Sequence, residues 1–122
     1  NCAMFAARCA IDPEHGGLAV EEEAERCCQQ VSDPHKKVLI MCHHGVMVIG
    51  EDVADAFNRL FYFERAAETY IKALWTGQPL SVLSDEIAEK TATELEGYPG
   101  QAQRHFAELR AILDTEEPDY AT

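Results

Sequence analysis

Two adjacent histidines and a glycine interrupt an apolar run, VLIMCHHGVMVIGED, from Val38 to Asp52. Imidazole is the side chain most used to hold a transition metal or to move a proton near neutral pH. A buried ring needs a hydrogen-bond partner or a metal, and a neighbouring glycine can turn or bend the backbone where a side chain would obstruct. If the strand runs on through this motif, Val38, Ile40, Cys42 and His44 share one face and Leu39, Met41 and His43 the other. The two rings then point apart, and only one can reach a given ion. His44 is the candidate metal ligand, because it adjoins Gly45 at a strand end, where loops carry most binding chemistry. The competing role for His44 is a turn residue whose imidazole satisfies nearby backbone. His43 is expected to be packed or hydrogen-bonded. The other histidines complete no site: His15 and His35 fall in loops, His105 on the last helix, and none makes an H-x-H or H-E-x-x-H spacing. A zinc site needs three or four protein ligands, so this chain offers one leg of such a site rather than the whole.

Glu64 is a second candidate for chemistry. It lies four residues after Leu60 and seven after Phe57, close to the apolar stripe of a helix. A carboxylate there can act as a general base or orient a histidine; the structural alternative is an edge residue paired with an arginine or a backbone amide. Glu21, Glu22 and Glu23 read as a solvated first helical turn. The five cysteines, Cys2, Cys9, Cys27, Cys28 and Cys42, are odd in number and contain no C-x-x-C pair. They are expected to be small buried hydrophobes in a reducing, cytoplasmic setting.

These groups need elements to position them. Residues 2–11 are small and apolar, compatible with a strand or a short helix, and DPEHGG (12–17) reads as a turn. A helix follows from Leu18, with its acidic residues in the first turn where the helix dipole favours them; it breaks before Pro34. VLIMC and VMVI then form two strands joined around His44-Gly45 as an antiparallel hairpin, and their continuous apolarity implies a sheet covered on both sides. Asp52 offers an N-cap with Asp55 in the capping-box position. Val53, Phe57, Leu60, Phe61, Ala67, Ile71 and Leu74 line one face of the long helix that follows, which ends before Gly77 and Pro79. Ser84 caps a shorter helix, DEIAEKTATEL, and a last helix runs through Phe106, Leu109, Ile112 and Leu113. A lone hairpin is marginal in water, so further strands are expected beside these two.

Bulk composition narrows the classes. The chain has 122 residues, 47% hydrophobic and 26% charged, which suits one small domain or part of one. Ten basic against 22 acidic residues give a net charge of −12, opposing nonspecific contact with nucleic acid or anionic lipid. A small anionic substrate can still be held locally by backbone amides or a cation. No apolar run reaches the roughly 18–20 residues of a membrane helix. The opening NCAMFAARCAID does not read as a secretory signal, and a chain starting at Asn1 is expected to be a fragment or a processed product.

The stretch VLIMCHHGVMVIGEDVADAFNRLFYFERAAETYIKAL resembles the second half of class II aldolase/adducin domains: a strand into an H-G turn, here His44-Gly45, a second strand ending at Gly50, then a helix with a central Glu64-Arg65-Ala66. GGLAVEEEAERCCQQ is similar to the preceding helix, and FAELRAILDTEEPDY to the C-terminal helix and tail of the bacterial aldolase-like branch. The resemblance implies an α/β class, part of an α/β/α sandwich with a mainly antiparallel sheet and a helical C-terminal portion. Residues 1–122 would be the C-terminal half of a single such domain, with the upstream half absent. It implies a divalent metal, zinc above all, held by an H-x-H pair and by the histidine before the glycine, which matches His44. It also implies a lyase acting on a sugar phosphate or related acidic carbonyl compound through an enediolate, in a cytoplasmic homo-oligomer such as a tetramer. In that family the H-x-H, the acid/base glutamate and the phosphate loops lie upstream, so Glu64 does not inherit the catalytic role. A C-terminal aromatic reaching a neighbouring subunit's site would match Tyr120. The alternative is a non-catalytic, adducin-like protein-interaction module, since adducins keep the H-G turn without the metal pair.

Overall fold

The computed structural model describes residues 2–14 and 20–121; His15 and the expected helix start at Leu18 lie outside them. In chain order there is a 3-10 turn (Cys2–Phe5), β1 (Cys9–Asp12), α1 (Val20–Gln30), β2 (Val38–Met41), β3 (Gly45–Val48), α2 (Val53–Trp75), α3 (Asp85–Glu96), α4 (Gln101–Glu116) and a closing 3-10 turn (Pro118–Ala121). The architecture is α/β with a helical C-terminal portion, as expected. The strands lie in the order β1-β2-β3. β2 and β3 form the antiparallel hairpin, with Leu39 opposite Met47 and Met41 opposite Gly45. The uncertain N-terminal segment contributes the further strand: β1 pairs parallel with β2, Ile11 opposite Ile40. Parallel neighbours need a crossover, and α1 is that connection.

Val38 and Leu39 point to opposite faces of β2 and both are fully buried. The central strand is therefore covered on both faces, which is why its sequence is apolar without alternation.

The long helix starts where its caps place it. Asp52 accepts a hydrogen bond from the Asp55 amide at 2.8 Å, and Asp55 Oδ2 accepts one back from the Glu51 amide at 3.0 Å. That amide bond holds the Asp52 carboxyl below its ordinary pKa. Ser84 caps α3 by accepting from the Ile87 amide. α4 packs along the first half of α2, where Phe57 meets Phe106 at a centroid separation of 5.5 Å and Phe61 meets His105 at 4.7 Å. The expected apolar stripe is only partly covered: Phe61 and Ala67 are half-buried, while Val53 is largely exposed and Phe57 and Leu60 keep over a third of their surface in water. Ile71 and Leu74 are exposed, and Trp75 is 79% exposed. No described element packs on them as α4 does on Phe57 and Phe61, so helical periodicity is present without a core behind it.

A buried cation ties the two ends of the fold together. Arg8, 3% exposed, donates from Nε and Nη2 to the two carboxylate oxygens of Glu96 at 3.0 Å each, and from Nη1 to Glu89. Both acids belong to α3, so this fork fastens the segment before β1 to α3.

The cysteines depart from expectation. None is buried: Cys2, Cys28 and Cys42 are exposed, Cys9 and Cys27 half-buried, and all five are free thiols. Their positions, in turns, on a helix or, for Cys9, at the start of β1, decide this rather than their apolarity. Partial burial pushes the Cys9 thiol above its ordinary pKa.

Candidate functional site

β2 stops at Met41, earlier than the apolar run suggests, because Met41 already pairs with Gly45 across a three-residue loop of Cys42, His43 and His44. The His44 amide donates to the Met41 carbonyl at 3.0 Å. Gly45 takes φ +134°, and a Cβ there would meet nothing within 4 Å. Its requirement is thus conformational: such a φ is strained for any L side chain. Strand alternation does not govern the loop, so the opposed faces expected for the two histidines do not apply. Of the two roles expected for His43, packed or hydrogen-bonded, the first does not hold: His43 is exposed, because the strand ends two residues before it.

His44 is held from the side by α1. Its Nδ1 lies 3.1 Å from Glu23 Oε1. Glu23 is therefore not part of a wholly solvated turn; it is half-buried while Glu21 and Glu22 stay exposed. One helical turn later on the same face of α1, Arg26 Nε donates to both oxygens of Asp12 at 3.0 and 2.8 Å. Asp12, expected in a turn, is the last residue of β1 and 1% exposed. The Arg26 contact holds its carboxyl below the ordinary pKa, although burial opposes this. The Asp12 carbonyl also accepts from the Cys42 amide at 3.0 Å, which fastens the end of β1 to the loop bearing His44.

The other sequence candidates fall elsewhere. Glu64 is exposed on α2. His35 is exposed in the loop before β2. His105 Nδ1 lies 2.9 Å from Asn58 Oδ1 within the α2–α4 aromatic packing. The Tyr120 hydroxyl donates to Asp114, and the residue borders an apolar groove with Phe57, Phe106 and Leu113. Among the described residues no three His, Cys, Asp or Glu side chains converge as a metal cage. His44 presents an exposed imidazole at the end of the hairpin loop with Nδ1 beside Glu23, a group whose chemistry suits one metal ligand. Sequence reasoning missed Asp12, Arg26 and Glu23. The i, i+3 spacing of Glu23 and Arg26 was visible, but their partners lie on other elements.

Residues 1–71 match the family described as the Class II Aldolase and Adducin N-terminal domain. The chain belongs to the class II aldolase and adducin family. The crystal structure of an aldolase II superfamily protein from Pseudomonas syringae superposes with a TM-score of 0.82 at 28% identity, over 98% of this chain and 48% of that one. The protein hu-li tai shao of Drosophila melanogaster is 32% identical over 109 residues, covering 86% of this chain and 9% of its own length. Gamma-adducin of Homo sapiens is 39% identical over 57 residues, 46% of this chain and 8% of that protein. The chain thus spans under a tenth of these two curated relatives and about half of the solved class II aldolase relative. Among the described residues no helix is long and apolar enough to cross a membrane.

Proposed function

We propose that this chain supplies His44 as one ligand of a divalent metal, zinc above all, in a class II aldolase-like lyase acting on a sugar phosphate or related hydroxy-carbonyl compound. The observation that carries this is the anchored imidazole: His44 sits exposed in the loop between β2 and β3 with Nδ1 against the Glu23 carboxylate. Residues 1–122 would form the C-terminal half of the domain. An upstream half would bring the remaining ligands, the acid/base group and the phosphate contacts. Bound there, a divalent ion polarises carbonyl and hydroxyl oxygens of the substrate as a Lewis acid. The task of this chain's residues is to fix one ligand. The hairpin presents the ring, Gly45 lets the loop close, and α1 grips the ring from the side. The complete enzyme would work as a cytoplasmic homo-oligomer, a tetramer in the enzymes it resembles. There Tyr120, near the chain end, is the candidate aromatic for a neighbouring subunit's site.

The test is metal content of the complete protein, wild type against His44→Ala, by elemental analysis after gel filtration. About one zinc per chain is expected for wild type, with occupancy falling at least roughly tenfold in the variant, because two remaining protein ligands hold zinc poorly. Equal stoichiometry in both forms removes His44 as a ligand.

A second reading, an adducin-like interaction module, is favoured by the 39% identity to gamma-adducin over 57 residues. Wild-type protein that takes up no stoichiometric metal when zinc is supplied supports it against the lyase.

A further inference from the structure

We infer that Glu23 is the positioning residue of His44, and that the Asp12–Arg26 ion pair sets Glu23 in place. An imidazole can carry its proton on either nitrogen, and the hydrogen bond at one nitrogen decides which remains able to donate a lone pair. A carboxylate only accepts hydrogen bonds. The 3.1 Å contact of Nδ1 with Glu23 Oε1 therefore keeps the proton on Nδ1 and the lone pair on Nε2. It also restrains the rotation of the ring about its bond to the chain.

What holds Glu23 there is less local. It projects from α1, the crossover between the parallel strands β1 and β2, and such a helix can roll against a sheet. Arg26, on the same face of α1, shares its single Nε–H between both oxygens of Asp12, and that charge-assisted contact to an almost wholly buried carboxylate fixes where this side of α1 meets the end of β1. The Arg26 Nη2 contact to the Glu14 carbonyl, 3.4 Å, and the Glu14 amide contact to Asp12 Oδ1, 3.2 Å, brace the same corner. Asp12 is in turn bonded through its carbonyl to Cys42, two residues before His44. One residue at the end of β1 thus registers the helix by its side chain and the histidine loop by its backbone. Carboxylates in this relation to a metal-binding histidine typically change metal affinity by about 10–100-fold.

The consequence for metal affinity rests on His44 being a ligand; the proton position does not. The experiment uses complete protein labelled with 15N-histidine and freed of metal by chelator. Long-range proton–nitrogen correlation assigns the His44 signal by its loss in His44→Ala. Wild type is expected to show the proton on Nδ1. In Glu23→Ala the signals should move to the averaged values of an imidazole exchanging its proton between nitrogens. Glu23→Gln, whose amide oxygen accepts the same bond at nearly the same volume, should restore the wild-type pattern. Zinc dissociation constants should weaken about 10–100-fold in Glu23→Ala and much less in Glu23→Gln. A proton on Nε2 in wild type, or an unchanged signal in Glu23→Ala, overturns the inference. If His44→Ala leaves metal content unaltered while Glu23→Ala still moves the proton, the lyase assignment fails and the positioning role of Glu23 stands.

Discussion

Alanine at Gly50 is expected to destabilise the fold by about 3 kcal/mol, combining overpacking with a disturbed helix cap. A Cβ built at Gly50 falls 2.3 Å from the Ala56 amide nitrogen and 2.8 Å from the Ala56 Cα. Those atoms belong to the first turn of α2, and backbone cannot swing aside as the tip of a long side chain can. Something must separate: either the segment after β3 lifts from the sheet, or the first turn of α2 retreats and strains the Asp52–Asp55 and Glu51–Asp55 bonds that start the helix. Urea unfolding of the complete protein measures the loss as a lower midpoint at unchanged slope. A midpoint within error of wild type would mean that α2 does not approach Gly50 so closely.

The second large effect belongs to Arg8. Arg8→Ala is expected to cost about 2–3 kcal/mol at neutral pH, below the range for breaking a fully buried pair because Glu89 keeps half of its side chain in water. The loss has a pH signature. The hydrogen bonds from Arg8 hold the carboxyls of Glu96 and Glu89 below the ordinary glutamate pKa, and those acids hold the arginine's pKa above its own. A depressed carboxyl pKa contributes stability that is complete above the unfolded-state value, near 4.3, and fades as pH falls through the lowered folded-state value. In the variant this contribution is missing at every pH. The gap between wild type and Arg8→Ala should therefore be widest from about pH 6 upward and narrow toward about pH 3. Thermal melts across that range measure it, and a gap independent of pH would show that lost packing of the arginine stem, not charge pairing, is the cause.

How far these features were legible depends on the reach of their partners. The start of α2 was written locally, since Asp52 and Asp55 satisfy amides within four residues, and so was the Ser84 cap. The hairpin was legible as two apolar runs around a glycine, although its exact loop was not. Nothing local states that pairing stops at Met41, and only the opposition of Met41 to Gly45 takes both histidines off the strand. The parallel partner β1 was invisible because four residues, CAID, carry no period that separates strand from helix. The polar residues that matter most were misjudged for one shared reason. Asp12 looked like a turn residue and Glu23 like a solvated one, since an isolated acid is mostly found in water. Their burial becomes affordable only through Arg26 and the histidine loop, which the fold brings to them. Arg8 is an extreme case: its partners lie 81 and 88 residues away.

The chain has a single tryptophan, and it stands at the end of α2 with 79% of its surface in water. An indole so placed fluoresces at the long-wavelength limit, and its emission shifts to the blue when water is displaced from around it. Trp75 is thus a native optical probe at the uncovered end of α2. Its spectrum in complete protein, compared across concentration and in the presence of other proteins, tells directly whether that end of the helix is bathed in solvent or shielded, with no label introduced.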